Sequence, residues 1–150
     1  MKKIIAAIDF SNATSGVISA ATEMAKAFGA ELHLLHVIEA EPTYTAYGLS
    51  PNEFPAIHDF HVESRKRAQK ALDGVVAEIA TKGITTTAHL ADGSPLLELE
   101  SKTKEISADF VILGSHGHSV VAALILGSVA EGMVRKAFVP TLVIPAADVK

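Results

Sequence analysis

Short apolar runs and longer amphipathic segments take turns along the chain, and that alternation limits the fold more than any other feature. Residues 2–8 (KKIIAAI) are a short apolar run ending at Asp9, the pattern of a buried strand. Residues 13–28 carry Val17, Ala21, Met24, Ala25 and Phe28 at helical steps. That spacing predicts an amphipathic helix, with Gly29 as the left-handed residue after it. Residues 31–38 (ELHLLHVI) read as a second strand. The stretch 39–55 is irregular, with Pro42, Gly48, Pro51 and Pro55, and loops of that length are often functional. Residues 56–81 place Ile57, Phe60, Ser64, Ala68, Ala71, Val75 and Ile79 on one helical face, closed by Gly83. The β-branched run 84–90 (ITTTAHL) is a third strand. After the turn 92–95 (DGSP), Ser94 suits a helix cap and Pro95 a first helical position. Leu96, Leu99, Thr103 and Ile106 continue the inward face. Residues 109–113 (DFVIL) are a fourth strand, a last helix spans about 128–137, and 141–144 (TLVI) are a fifth strand.

Strands spaced by helices imply right-handed crossovers and a mostly parallel sheet covered on both faces, an α/β fold. The 150 residues suit one domain, residues 1–150. In such sheets ligands bind beyond the C-terminal strand ends, where strand order reverses. Asp9 and the loop after strand 4 are therefore expected to be neighbours.

Composition narrows the function classes. Nearly half the residues are apolar (49%), enough for a sizeable core. The net charge is -4, and the one basic cluster, Arg65–Lys66–Arg67, reads as the solvated face of a helix. No concentrated basic face exists to bind nucleic acid. The absence of cysteine excludes disulfides, thiolate metal sites and Cys nucleophiles. Asp9 interrupts the first apolar run too early for a signal peptide. No run approaches the ~20 residues of a membrane span. A cytoplasmic location is expected.

Residues 114–128 read GSHGHSVVAALILGS. Gly114 is followed by two residues and Gly117, then by nine residues and Gly127–Ser128. This is neither the phosphate loop with a Lys nor the GxGxxG fingerprint. The same physics is available to it. Glycines let backbone N–H groups approach phosphate oxygens, and a helix N-terminus adds partial positive charge. A purely architectural reading is also open. Gly114 and Gly117 can supply turns, and Ser128 with Glu131 fits a capping box. Gly132, inside the predicted helix, costs about 1 kcal/mol against Ala, and the sequence gives no account of it beyond room for close packing.

The chain resembles the universal stress protein family over essentially its whole length. The family's nucleotide-binding members carry G-x2-G-x9-G-(S/T), which residues 114–128 match without a gap. IDFS (8–11), HVI (36–38) and GSVAE (127–131) match further pieces in order. The resemblance implies an open three-layer α/β/α fold with a five-stranded parallel sheet in the order 3-2-1-4-5, Rossmann-like and similar to the adenine nucleotide alpha hydrolases. It also implies an ATP site, or one for another adenine nucleotide with its Mg. In that site the backbone of Val37 would meet the adenine edge, with Ala7 and Leu113 flanking base and sugar. Asp9 would lie near the ribose and the metal-bound phosphates. Gly114, His116, Gly117 and His118 would line ribose and phosphates, and Gly127, Ser128 and Val129 would hold the phosphates. The residue after Gly117 is commonly Lys or Arg in the family. His118 offers less charge compensation, which implies weaker or pH-dependent binding. The family commonly dimerises through its fifth strand, here Thr141 to Ile144, at an exposed sheet edge.

Other constellations are weaker. His58 and His61 share a helical face, but no third metal ligand is fixed. His33, His36 and His89 lie in strands as half-buried residues with satisfied nitrogens. No G-x-S-x-G elbow accompanies Ser11 or Ser115. The expected function is a nucleotide-dependent regulatory switch or sensor in the stress response. A slow ATPase or hydrolase using Asp9 with a bound metal and the loop histidines is one alternative. A nucleotide-free dimeric interaction module is the other.

Overall fold

A computed structural model describes residues 1–39, 48, 55–116 and 126–146. Its strands are β1 (Lys3–Ala7), β2 (Glu31–Ile38), β3 (Thr86–Asp92), β4 (Phe110–Gly114) and β5 (Thr141–Ile144). Its helices are α1 (Thr14–Phe28), α2 (Pro55–Ala80), α3 (Pro95–Glu105) and α4 (Ser128–Lys136). All strand pairs are parallel, in the order β3-β2-β1-β4-β5. This is the order the family resemblance implies.

Successive strand residues point to opposite faces, so the apolar runs divide between two cores. Ile4, Ala6, Leu32, Leu34 and Ile112 pack with Val17, Ala21 and Ala25 of α1 and with Leu72 and Ile79 of α2. Ile5, Leu35, Val111 and Leu113 pack with Leu99 of α3 and with Ala130 and Met133 of α4. The central strand β1 is buried on both faces, so its sequence is continuously apolar rather than alternating. Fully burying Ile4 or Ile5 contributes about 1.5–3 kcal/mol each. The three layers hold the C-terminal ends of β1 and β4 side by side, with Ala7 opposite Leu113.

Several sequence expectations shift. Phe28 is 54% exposed and Phe60 53% exposed, so neither belongs to an inward face. On α2 the buried positions are Leu72 and Ile79, with Val75 and Val76 packed beside them, while Ala71 is exposed. Stepping by four from Ser64 reaches Ala68 and Leu72, which turns Ala71 outward. β3 begins two residues later than the β-branched run, at Thr86 opposite Leu32, and ends two residues later, with Asp92 opposite Ile38 of β2. Ser94 occupies the cap of α3 with Pro95 at its first position, but its side chain makes no capping bond. The basic cluster is not wholly solvated, since Arg65 is half-buried and pairs with Asp92 at the end of β3. No helix among the described residues is long and apolar enough to cross a membrane.

Candidate functional site

A cavity of about 500 Å³ opens at the C-terminal ends of β1, β2 and β4. Ala7, Asp9, Val37, Leu113, Gly114, His116, Gly127, Ser128 and Val129 all line it. These are all the expected nucleotide-site residues that fall within the described chain. Gly117 and His118 lie outside the described residues, as do most of the spacer 119–126 and the irregular stretch 39–55.

The chain leaves β1 through a sharp turn. Phe10 adopts φ +60, a region that non-glycine residues rarely occupy. Such strain concentrates at functional sites. The Phe10 ring lies 4.8 Å from that of His36. Beside it, Asp9 Oδ1 accepts the Ser11 N–H at 3.0 Å and the Thr14 hydroxyl at 3.5 Å. These bonds hold the carboxylate at the start of α1. Where β2 ends, His36 Nδ1 stands 2.9 Å from the Ile8 carbonyl oxygen. A carbonyl only accepts, so Nδ1 donates and carries the ring proton.

α4 begins at the same cavity. Its cap is Gly127 in extended conformation, and no side chain caps it. The capping box expected from Ser128 and Glu131 does not form. Ser128 is the first helical residue, and the Glu131 carboxylate pairs with Arg135 one turn on. The first intrahelical bond runs from the Glu131 N–H to the Gly127 carbonyl at 2.8 Å. The N–H groups of Ser128, Val129 and Ala130 therefore have no intrahelical acceptor, and all three residues line the cavity. Oriented N–H groups and the helix dipole favour an anion there.

Ser115 closes the neck of the glycine stretch. Its N–H donates to the Ile144 carbonyl at 2.7 Å, and its carbonyl accepts the Gly127 N–H at 2.7 Å. Gly114 answers to the protein's own packing. An added Cβ would stand 2.9 Å from Ala13 Cβ and 3.3 Å from the His116 carbonyl. The apolar walls and few polar groups suit a small organic ligand, and the volume lies within the roughly 300–1,000 Å³ of such sites. Among the described lining residues there is no Lys or Arg, and the carboxylates are Asp9 and Glu39.

Sequence reasoning missed part of the wall. Phe10, Ala13, Thr14, His36, Ser64, Ala68 and Pro95 also line it. The helical step from Ser64 to Ala68 was legible, but it signalled an inward face and not a ligand. The histidines divide. Of the pair on α2, His61 Nε2 lies 3.1 Å from Asp92, while His58 is exposed. Among the described residues no three His, Asp or Glu side chains gather as a metal would need. His33 Nδ1 and His89 Nε2 are 2.9 Å apart, sharing one hydrogen bond. His33 Nε2 is buried and makes no hydrogen bond among the described residues, with the Glu31 carboxylate 3.8 Å away as its charge partner. Burial is the main cause lowering both pKa values below 6.5. Lys3 and Lys102 lower His33 further while Glu31 opposes; Lys102 and His33 lower His89 further while Glu105 opposes.

Residues 1–145 match the sequence profile of the Universal stress protein family. The chain belongs to the universal stress protein family. It is 29% identical over 146 residues to the universal stress protein YxiE of Bacillus subtilis, covering 95% of this chain and 97% of that one. The solved structure of the protein designated MJ0577 superposes with a TM-score of 0.78 at 25% identity, covering 98% of this chain and 97% of the other. Two more distant universal stress protein structures share the fold. One, from Archaeoglobus fulgidus, is a complex with dAMP (TM-score 0.67, 20% identity, covering 96% and 97%). The other is a complex with cAMP (TM-score 0.65, 19% identity, covering 97% and 98%).

Proposed function

We propose that this universal stress protein binds an adenine nucleotide, ATP with its Mg, and acts as a nucleotide-dependent regulatory switch in the stress response of the cytoplasm. The observation that carries the reading is the convergence of the β1, β2 and β4 ends on one cavity with the start of α4, which no side chain caps. The dAMP and cAMP complexes of distant relatives support the adenine nucleotide class.

In this reading the Val37 backbone meets the base edge, and Ala7 and Leu113 flank base and sugar. The phosphates lie against the N–H groups of Ser128 and Val129, with Gly127 keeping the approach clear. Asp9 faces the ribose and the metal-bearing phosphates, where Mg coordinated by the nucleotide would neutralise charge. Without Lys or Arg among the described lining residues, α4 supplies the protein's main electrostatic share.

Gly127→Val tests the assignment. Gly127 has φ -62 and ψ 155, so Val is compatible with the backbone, while its branches fill the space before the helix. ATP affinity in calorimetry should be lost with the circular dichroism unchanged; undiminished affinity overturns the phosphate assignment. Mass identification of the nucleotide released by denaturing protein purified from cells gives an independent check.

We further infer a homodimer formed through β5, an edge strand. Val111 N–H bonds the Pro140 carbonyl and Ser115 N–H bonds the Ile144 carbonyl. Even-numbered residues therefore face β4, and the backbone groups of Thr141 and Val143 point away from the sheet, the direction in which a second copy would pair.

A further inference from the structure

We propose that Ser115 is a positioning residue that holds His116 as the Nε2–H tautomer, so that this N–H donates to an oxygen of the ligand in the cavity. The nature of the ligand rests on the nucleotide reading above; the tautomer does not.

The argument follows the protons. Ser115 Oγ stands 2.7 Å from His116 Nδ1. The same Oγ accepts the Ala146 N–H at 3.2 Å. A hydroxyl has one proton to give and two lone pairs. With one lone pair taken by Ala146, the proton is left to find an acceptor. Among the described residues His116 Nδ1, 2.7 Å away, is the hydrogen-bond partner of this hydroxyl that can accept it, and we assign it that role. An Nδ1 that accepts carries no proton, so the neutral ring carries its hydrogen on Nε2.

The main chain that carries this hydroxyl is fixed. Ser115 is held on both sides of its Cα by its backbone bonds to Ile144 and Gly127. The residue thus joins the end of β4, the start of α4 and the chain beyond β5. His116 receives a defined partner from a rigid point.

The other nitrogen carries the functional consequence. His116 lines the cavity, and its Nε2 is buried with no partner among the described residues. An unpaired buried donor is costly, and few survive in native structures without a reason. A ligand oxygen in the cavity supplies one. His36, on the same cavity, is set the opposite way, because its Nδ1 donates to the Ile8 carbonyl. The two lining imidazoles are therefore chemically distinct, one offering a donor at Nε2 and the other a lone pair.

Long-range 1H–15N correlation spectra of the full chain test this at about pH 8, where ordinary imidazoles are neutral. His116→Gln identifies the His116 signals among the seven histidines. Wild-type His116 should show a pyrrole-type Nε2 and a pyridine-type Nδ1, and His36 the reverse. Ser115→Ala should shift His116 toward a mixture of tautomers, and Ser115→Thr should restore the pattern. ATP affinity should fall about fivefold in Ser115→Ala, the worth of one net hydrogen bond, and recover in Ser115→Thr. A pyrrole-type Nδ1 on His116 in the wild type overturns the proposal, whatever the stability of the variants. So does an unchanged tautomer in Ser115→Ala. If ATP binds without moving the Nε2–H signal, the donor role is wrong. If ATP does not bind at all, the nucleotide reading and with it the donor role fall, while the tautomer set by Ser115 stands.

Discussion

Replacing Gly132 with Ala should destabilise the protein, although Ala is the better helix former. The reason lies between α3 and α4. An added Cβ at 132 would stand 2.4 Å from Leu96 Cδ2, 2.9 Å from Cδ1 and 3.2 Å from Cγ. Carbon atoms rest at about 3.5–4.0 Å. Because both methyls and Cγ are crowded, turning the end of the leucine does not clear the space; the whole side chain or a helix must move. Helix propensity returns about 1 kcal/mol. Overpacking costs about 1–3 kcal/mol. Taking about 2 for the clash, the net is a loss of about 1 kcal/mol, or about 2–4 °C in Tm. A double-mutant cycle with Leu96→Ala, read by urea denaturation, isolates the cause. Once Leu96 is truncated, the same Gly132→Ala change should stabilise by about 1 kcal/mol. The coupling is then about 2 kcal/mol, within the range for touching residues. If Gly132→Ala stabilises the wild-type background, or has the same sign in both, this account of the glycine is refuted.

Stability should fall as pH drops from about 8 to about 5. His33 and His89 have folded pKa values below 6.5. Their contribution is therefore full above 6.5 and is lost as pH falls through the lowered folded values, because the unfolded chain takes up protons first. The urea midpoint followed against pH should show a shallower acid slope in His89→Gln, and an unaltered slope assigns the effect elsewhere. Val143→Pro removes an outward N–H and leaves the β4 ladder intact, so it should convert a β5-paired dimer to monomer in light scattering; an unchanged mass refutes that edge as the interface. Gly114→Ala should cost about 1–3 kcal/mol by forcing Ala13 and the His116 carbonyl apart. A neutral result in thermal melts would show that α1 shifts freely there.

Periodicity alone was enough to derive β1 through β5 and the four helices in order. Each strand is a short apolar run and each helix a stripe, and both patterns are local. The five-stranded parallel sheet followed from that alternation, and the family resemblance added its order. The cavity's location was legible too, because helices in such a sheet start where strands end. The departures come from what surrounds each residue. Ser128 followed by Glu131 is a capping pattern, but Gly127 takes the cap and Arg135 takes the carboxylate. Phe28 and Phe60 are apolar, yet both stand about half exposed.

The glycines separate the two levels of information most clearly. Their spacing from 114 to 127 marked a strand-to-helix passage and offered ligand approach or turn-making as reasons. Only the tertiary structure shows that Gly114 yields to Ala13, that Gly132 yields to Leu96, and that Gly127 caps α4 at the cavity. The same holds for Ser115, which no motif distinguishes. Its partners, Ile144, Ala146, Gly127 and His116, include residues far along the chain. The amino-acid order thus determined the elements, because a strand or a helix needs only its own neighbours to declare its period. The folded structure decided close approach, capping and tautomer, because those depend on atoms that only the crossovers bring together.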